Sequence, residues 1–312
     1  TEGDNYRILK AAEILISNGV AKPILLGSKE KMEAIIEEYQ LELQEAEFID
    51  IMADRDGRER YATQMYEFRK RRGWTMGECR SKIKSREYYG NMMLRDGGAD
   101  ALISGLTVKY PTALRPILRI IGMEEGMRKA AGMYILLSKR GPMFFADTTI
   151  NLDPTVEDLV QMVLNVADTV KRTNIVPKVA LLSYSNFGSS NGPDAHKMAK
   201  ASAILRKEHP DLIVDGEMQA NFALEPELLQ ESFPFSDLVG HQANVFIFPN
   251  LAAGNITYKM LQSFGAAEAI GPMLIGTKHS AHVLQLGASV REIVNMATLA
   301  AVDARNRKVK KA

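Results

Sequence analysis

The residues best suited to chemistry lie in one loop, residues 182–194, with the sequence LSYSNFGSSNGPD. An apolar run leads into serine, glycine and asparagine, and a proline then opens a helical pattern. Small residues let the backbone approach a ligand, their amides and hydroxyls can donate hydrogen bonds, and a helix N-terminus favours an anion. The loop therefore suits a phosphate or the pyrophosphate of coenzyme A. A tight turn without a ligand explains it equally well, because the spacing is neither a Walker P-loop nor G-x-G-x-x-G.

Arginines are the candidate partners for such an anion. Arg115 stands directly before Pro116, and a guanidinium at a helix start beside a strand end can hold a phosphate through two parallel hydrogen bonds. A surface arginine with no ligand is the alternative. The basic run at residues 69–72 (RKRR) is typical of a solvated helix face, and it is also able to reach an anionic nucleotide.

The remaining reactive residue types show no catalytic or metal-binding spacing. The histidines form neither H-E-x-x-H nor another ligand pattern, so no metal site is predicted. The loop serines are not in G-x-S-x-G, which leaves a hydrolase elbow unsupported. Basic neighbours can lower the pKa of the single cysteine, Cys79, but a structural thiol is the favoured interpretation, and it suits a reducing cytosol. The five histidines are His196, His209, His241, His279 and His282.

Short apolar runs ending in Gly, Ser or Pro alternate with helical patterns, which predicts an α/β fold with parallel sheets covered on both faces. The predicted strands span residues 22–27, 101–105, 133–137, 142–146, 178–183, 212–215 and 245–248. The predicted helices span 5–18, 155–173, 193–208 and 290–305, with a charge-rich, exposed helical region at 55–95 and a frayed basic tail at 305–312. Ser289 and Glu292 form a capping-box pattern at the start of the last helix.

Composition excludes several classes of protein. The chain has 312 residues, 39 basic and 38 acidic side chains and a net charge of +1, so bulk charge predicts no nucleic-acid or membrane partner. A hydrophobic content of 46% and a charged content of 25% are those of a globular protein. No apolar run is long enough to span a bilayer, and no signal-peptide pattern is present, so we expect a cytoplasmic protein. A start at Thr1 suits either an excised piece of a longer polypeptide or a trimmed chain.

Two domains are expected at this length. The polar stretch DTTINLDP at residues 147–154 marks the first boundary, and a second crossing is expected near residues 276–281. The predicted first domain contains residues 1–148 and 281–312, and the predicted second domain, residues 149–280, is inserted into it.

Seven segments together resemble the phosphate acetyltransferases (phosphotransacetylases) over essentially the whole chain. The resemblance implies two three-layer α/β/α domains with mainly parallel sheets flanking a cleft, a homodimer, and acetyl transfer between phosphate and coenzyme A. The segments are ALISG from residue 101, TALRPILRIIG from 112, FADTTINLDPT from 145, LSYSNFGSS from 182, DGEMQAN from 215, VFIFPNLAAGNITYK from 245 and AIGPML from 269.

The chain departs from the family at its catalytic strip. The family pattern is a Ser-Arg pair before a glycine, followed by an Asp, and its mechanism uses the Asp to deprotonate the thiol of coenzyme A and the Arg to bind the acyl phosphate. Gln285 stands at the Ser position, Leu286 at the Arg position and Glu292 at the Asp position. Because a leucine can neither donate a hydrogen bond nor compensate a dianion, little or no turnover is expected; loss of one preorganised donor costs ~10²–10³ in rate.

The stretch HVLQ followed by VREIVNM, residues 282–296, also resembles the phosphotransacetylase-like C-terminal domain of large bacterial NADP-dependent malic enzymes. That resemblance implies a regulatory module which binds acetyl-CoA or a related acyl-CoA, has no covalent cofactor, self-associates as a homodimer or higher, and controls an upstream malic-enzyme part holding NADP and a divalent metal. No pattern for those two groups is visible in this sequence. The expected ligand-binding residues are Arg115, Ser183, Ser185, Gly188, Ser189, Ser190, Asn244, Asn255, Tyr258 and Lys259.

Two other functions stay open. A working phosphate acetyltransferase would need another group in place of the missing guanidinium, and His279, His282 and Arg291 lie in the same stretch. An oligomerisation scaffold would bind neither ligand. The regulatory module binds acetyl-CoA without turnover, the enzyme does both and the scaffold does neither.

Overall fold

The computed structural model describes residues 1–309, and the chain consists of two compact units. Within the described residues, unit 1 contains residues 1–125 and 277–309, and unit 2 contains residues 126–276. The predicted first boundary, between residues 148 and 149, differs from this division because the two strands before it pair within the sheet of unit 2. The observed second crossing, between residues 276 and 277, lies within the range 276–281 expected from the sequence, a few residues before the predicted boundary between residues 280 and 281.

Unit 1 is built from helices around two short parallel pairs of strands, β1 with β2 and β3 with β10. A 3-10 turn, Lys70–Arg72, follows α3, and a π-helical turn, Ile117–Ile121, follows α6. The elements are α1 Tyr6–Ser17, β1 Ile24–Leu26, α2 Lys29–Tyr39, β2 Glu47–Ile49, α3 Arg55–Arg69, α4 Met76–Lys82, α5 Arg86–Asp96, β3 Ala101–Ser104, α6 Tyr110–Pro116, β10 Ser280–Val283 and α12 Val290–Val309.

Unit 2 is a six-stranded mixed sheet in the order β7-β6-β8-β5-β4-β9. The first four strands are mutually parallel, whereas β4 is antiparallel to both β5 and β9. The elements are β4 Ala131–Ser138, β5 Gly141–Ala146, α7 Val156–Lys171, β6 Lys178–Leu182, α8 Pro193–Glu208, β7 Ile213–Met218, α9 Ala220–Leu224, α10 Pro226–Ser232, β8 Val245–Ile247, α11 Leu251–Ser263 and β9 Glu268–Ile275.

These elements confirm the predicted α/β fold with mainly parallel sheets. Each unit buries its own apolar core, which includes Leu9 and Met32 in unit 1 and Leu136 and Phe246 in unit 2. The prediction of parallel neighbours fails for β4, which a tight turn at residues 139–140 joins to β5 as an antiparallel hairpin.

The region at 55–95 is helical as predicted, but it is not wholly exposed. It forms α3, α4 and α5, and Tyr61 and Met65, four residues apart on α3, are buried. The predicted frayed tail is wrong for residues 305–309, which continue α12, and its residues 310–312 lie outside the described part of the chain. No helix among residues 1–309 is both long enough and apolar enough to cross a membrane.

Candidate functional site

The polar loops of unit 2 gather at one edge of its sheet. The parallel strands β5, β6, β7 and β8 all end there, and the segments that follow them are residues 147–155, 183–192, 219 and 248–250. Ligands of open α/β sheets bind outside the carboxyl ends of the parallel strands. This edge is therefore the candidate functional site of unit 2, and its segments contain five of the ten ligand-binding residues predicted from the sequence, all in the loop after β6.

Buried Glu217, on β7, organises the serine-rich loop that follows β6. One carboxylate oxygen of this residue, which is 2% exposed, accepts hydrogen bonds from the Ser185 hydroxyl at 2.9 Å and the Gly188 amide at 2.7 Å. Gly188 has φ +88°, a conformation that favours glycine. The Ser185 hydroxyl also receives the Ser190 amide at 3.1 Å and lies 3.2 Å from the Ser189 hydroxyl.

Every amide from residue 185 to residue 190 donates to an acceptor inside this network. Phe187 donates to the carbonyl of Glu217, and Asn186 donates to the Ser189 hydroxyl. The loop was predicted to present its amides to an anion, but in this conformation those amides are occupied and a carboxylate stands among them. The loop backbone is therefore the tight turn that was the alternative interpretation. A ligand at this loop would have to be bound by side chains, because the amides of residues 185–190 already donate within the loop network.

The loop after β5 is held by a second buried carboxylate, Asp147. Its two oxygens accept from the amides of Gly132, Thr149, Ile150 and Asn151 and from the Asn151 side chain, at 2.6–3.1 Å. The side chain of Asn255 adds a bond to the Thr148 carbonyl at 3.1 Å. Asn255, predicted as a ligand residue, therefore fixes this loop to α11.

Two further predicted ligand residues also have structural roles. Asn244 lies just before β8, at the opposite end of that strand from the site, and its side chain bonds the Lys178 amide at 2.8 Å and the Val176 carbonyl at 2.9 Å. Tyr258 is 2% exposed, and its ring stacks on Tyr134 with centroids 4.1 Å apart. Lys259 is exposed, with its ammonium 5.4 Å from the Tyr258 ring.

Arg115 belongs to unit 1 and is exposed. It was predicted at the start of a helix, but it lies in the last turn of α6, which begins at Tyr110. The amide donors of that helix start are therefore at its other end, and Arg115 can offer an anion only its own guanidinium.

The degenerate catalytic strip follows β10 and leads into α12. Leu286 is 69% exposed, so it is free of the core. Glu292 completes the predicted capping box, because its carboxylate accepts from the Ser289 amide at 2.7 Å while its own amide donates to the Ser289 hydroxyl at 3.3 Å. Gln285, half-buried, opens the turn through its carbonyl, which accepts the Ala288 amide at 3.1 Å. The capping role explains Glu292 without any catalytic function.

Sequence analysis missed one guanidinium beside this strip. Arg7, on α1, donates from one terminal nitrogen to the carbonyls of Gly287 at 2.6 Å and Ala288 at 3.2 Å. The residue following Leu286 is thus anchored by a cation from a distant part of the sequence. A long-range contact of this kind has no signal in local spacing.

His282, considered as a substitute for the missing guanidinium, is buried inside unit 1. Its ring nitrogen Nε2 lies 3.0 Å from the Ser280 hydroxyl. Burial lowers the pKa of His282 to about 4; Asp303 opposes that shift, and Arg307 adds to it. The imidazole is therefore neutral near pH 7 and cannot replace a surface cation. The two other candidates of that stretch differ in exposure, with His279 half-buried and Arg291 exposed.

This buried imidazole predicts a loss of stability in acid. Between pH ~6.5, where histidine titrates in an unfolded chain, and pH about 4, the unfolded chain binds a proton that the folded chain does not. The free energy of unfolding should fall as pH drops through this window, by up to about 3 kcal/mol. Urea unfolding across pH 4–7 measures it. His282→Gln should remove this pH dependence of the free energy of unfolding, whereas His196→Gln, at an exposed position, should leave it unchanged. If the free energy of unfolding depends on pH equally in the two variants, His282 is not the group responsible.

Unit 1 also contains a cluster of cations that the sequence showed only in part. The Trp74 ring has the guanidinium of Arg69 at 4.9 Å, the ammonium of Lys82 at 5.2 Å and the guanidinium of Arg119 at 5.8 Å. Arg69 is only 8% exposed, and its Nε has no hydrogen-bond partner within residues 1–309. Burial lowers the pKa of Arg69, and the nearby positive charges, including Arg119, lower it further.

The remaining predictions concern metal and thiol chemistry. Within residues 1–309, no group of three or more His, Cys, Asp or Glu side chains is arranged to hold a metal ion. Cys79 is fully buried, and burial raises the pKa of its thiol, so the structural interpretation fits better than an activated thiolate.

Comparisons with known proteins agree with this architecture. The family model described as phosphate acetyl/butaryl transferase matches residues 1–301. The NADP-dependent malic enzyme of Salmonella typhimurium is 39% identical over 307 residues, which cover 97% of this chain and 40% of that protein. The phosphate acetyltransferase of Bacillus subtilis is 35% identical over 303 residues, covering 97% and 93%. The solved EutD phosphotransacetylase from Staphylococcus aureus matches with a TM-score of 0.88 at 29% identity, over 97% of this chain and 92% of that one.

Proposed function

Because the chain belongs to the phosphate acetyl/butaryl transferase family, we propose that it is a phosphotransacetylase-like domain that binds acetyl-CoA or a related acyl-CoA with little or no acetyl transfer of its own. The chain spans about 40% of the length of the malic enzymes it matches, so malate oxidation, NADP and a divalent metal belong in this proposal to an upstream part of a longer polypeptide. Regulation of that part by the acyl-CoA is the role proposed for this domain.

The observation that carries the proposal is the side chain at position 286. Acetyl transfer from acetyl phosphate requires a cation for the phosphate and a base for the thiol. Leu286 provides an exposed apolar side chain at the first position, and Glu292, at the second, is committed to the cap of α12. A ligand recognised through its nucleotide and thioester would still bind, because those contacts do not need the transferring group.

The cations around Trp74 are the best-supported partners for the phosphates of an acyl-CoA. Arg69, Lys82 and Arg119 each lie within 6 Å of the Trp74 ring centroid, and the positive charges of Arg72 and Arg119 help to lower the pKa of Arg69. Like charges held this close repel one another, so an anion that binds among them gains energy by relieving the repulsion. Arg115 adds a further exposed guanidinium to the same unit.

Control of an upstream activity requires more than affinity. Acetyl-CoA must bind one arrangement of the assembly better than another, since equal affinity for both would shift neither population. Self-association as a homodimer or larger oligomer would connect the domain to the rest of such an assembly. The cytoplasm is the compartment that supplies acetyl-CoA and suits the single buried thiol.

A working phosphate acetyltransferase is the second candidate, and Arg7 is the observation that favours it. Its guanidinium already lies against the strip, bonded to the carbonyl of Gly287, next to the leucine that stands at the family's arginine position. Only one of its terminal nitrogens makes those two bonds. In this alternative the Arg7 guanidinium would take the acyl phosphate, and Arg7→Gln would abolish turnover.

Two measurements distinguish these functions. Acetyl-CoA at a hundred times its dissociation constant should stabilise the chain by ~2.7 kcal/mol, which thermal unfolding detects as a higher Tm. Acetyl-CoA formation from acetyl phosphate and CoA should stay at background, with the Bacillus subtilis phosphate acetyltransferase as the positive control for the assay. Turnover near ~10 s⁻¹ would establish the enzyme instead. If acetyl-CoA gives no stabilisation and no turnover is detected, the oligomerisation scaffold is the function that remains.

The binding site has its own test within the same melting assay. Arg69→Gln and Arg119→Gln each remove one cation next to Trp74 and should reduce the acetyl-CoA-induced Tm shift. Arg140→Gln is the matched control, because that arginine is exposed and lies in unit 2. An undiminished shift in both Trp74-cluster variants would place the ligand elsewhere.

A further inference from the structure

The polypeptide passes between the two units at two points, and a glycine stands at each of them. Gly126 is the first residue of unit 2, and Gly276 is its last. Both have positive φ, +78° and +84°, in the region that favours glycine. Any movement of one unit against the other has to turn about these two crossings, and glycine is the residue that absorbs such backbone rotation most easily.

The segments on the unit 1 side of these glycines, residues 122–124 and 277–278, lie side by side and are here called the connector ribbon. The Gly122 carbonyl accepts the amide of Lys278 at 3.1 Å. An antiparallel bridge pairs Thr277 with the residue opposite. A two-stranded pair on its own is marginally stable in water, so the ribbon depends on contacts from outside it.

Arg307, in the last turn of α12, binds both strands of the connector ribbon. Its terminal nitrogen Nη1 donates to the carboxylate of Glu124 on one strand and to the carbonyl of Thr277 on the other, the second bond measuring 2.7 Å. The Arg307 side chain is 15% exposed, and Thr277 is fully buried. Because these bonds are largely shielded from water, the charge of the guanidinium contributes more to them than it would on an open surface.

A buried carboxylate on the same helix orients this guanidinium. Asp303, one turn before Arg307, accepts from its Nε at 2.7 Å. Burial acts to raise the pKa of Asp303, but the charge and hydrogen bond of Arg307 outweigh burial and lower the pKa below its usual value. Asp303 therefore stays ionised, and the rigid fork of the guanidinium leaves Nη1 directed at the ribbon.

Helix α12 is itself fixed inside unit 1. The Ser280 hydroxyl, on β10, donates to the carbonyl of Ala300 at 3.1 Å. The helix also packs against α1 and β3, and it buries Ile293 and Met296. A bond from α12 therefore ties the connector ribbon to the body of unit 1, in addition to joining its two strands.

We propose that Arg307 is a clasp, which keeps the two strands of the connector ribbon paired and fixed to unit 1 and so confines movement of unit 2 to the glycines at positions 126 and 276. With the clasp closed, the two crossings turn as one hinge. With it open, each connection moves by itself. Arg307 is a positioning residue in this role, and the inference does not depend on which ligand the domain binds.

Amide hydrogen exchange of Lys278 in the full chain tests the clasp, because this amide joins the two strands. Arg307→Gln removes the charge and should speed this exchange about tenfold or more. Arg305→Gln, at an exposed position of the same helix, should leave it unchanged. The proposal fails if Lys278 exchanges as before in Arg307→Gln. It also fails if the Ala300 amide accelerates equally, since the helix and not the clasp would then be lost.

A second variant tests whether Arg307 acts through the ribbon. Glu124→Gln removes the carboxylate partner and should also speed exchange of the Lys278 amide, by less than Arg307→Gln does, because the bond to Thr277 remains. The double variant should exchange no faster than Arg307→Gln alone, since the two side chains form one contact. Accelerations that multiply in the double variant would overturn the clasp.

The restriction of movement is measured by the distance distribution between two spin labels, one in each unit. Glu37→Cys on α2 and Lys207→Cys on α8 place the labels at exposed helical positions, and Cys79 is buried and so protected from labelling. Adding Arg307→Gln should widen the distribution, whereas adding Arg305→Gln should keep its width. Equal widths in the two variants would show that Arg307 does not restrict the movement, and the proposal would be wrong.

Discussion

Leu286→Arg is expected to raise acetyl-CoA formation from acetyl phosphate and CoA by ~10²–10³ over the unmodified chain. The substitution restores the guanidinium that the family pattern places directly before the glycine at position 287. Leu286 is 69% exposed, so the longer, charged side chain displaces nothing from the core. Tm should therefore change little, and the measurement is the initial rate of acetyl-CoA formation at saturating substrates.

Leu286→Gln is the matched control, because it adds a polar side chain of similar reach without a charge. Its rate should stay at background if the positive charge is what the strip lacks. Adding Gln285→Ser to Leu286→Arg restores both halves of the pair and should not reduce the gain. A chain that folds, binds acetyl-CoA and stays inactive with both changes would show that the loss of activity extends beyond position 286.

Much of the fold was predictable because buried strands and capped helices leave strong local signals. The apolar run before residue 183 and the proline at position 193 located β6 and α8, and Ser289 with Glu292 located the start of α12. Strands β2, β9 and β10 were missed. They are short or carry polar residues and a proline, such as Pro272 in β9, so their pairing depends on tertiary neighbours and not on local pattern.

The position of the site could be predicted from the sequence, but the hydrogen bonds within it could not. The loop after β6 lies at the carboxyl edge of the sheet as its sequence suggested, yet no spacing indicated that Glu217 would occupy its hydroxyl and amide donors. Arg7 and Arg119 are likewise far in sequence from the groups they meet, Gly287 and Trp74. Contacts of this kind depend on which elements lie next to each other in the fold, and the spacing of residues in a single sequence does not show that.

Asp147→Ala is expected to be the most destabilising single change considered, at about 4 kcal/mol or more in the free energy of unfolding. The carboxylate, 2% exposed, is the acceptor for four backbone amides and one side-chain amide, and alanine would leave all five donors without it. Urea unfolding measures the loss.

Asp147→Asn tests the loss of hydrogen-bond acceptors without a loss of side-chain volume, because asparagine and aspartate are nearly the same size. The amide keeps one acceptor oxygen but turns an NH₂ group towards donors such as the Asn151 amide, so about half of the loss, about 2 kcal/mol, is expected. Asp153→Ala is the control in the same loop, because its carboxylate is 80% exposed and pairs with Lys197 at 2.6 Å on the surface; a change within about 1 kcal/mol is expected. Equal losses for Asp147→Ala and Asp153→Ala would contradict the role assigned to Asp147, since burial and the five donors are what distinguish the two carboxylates.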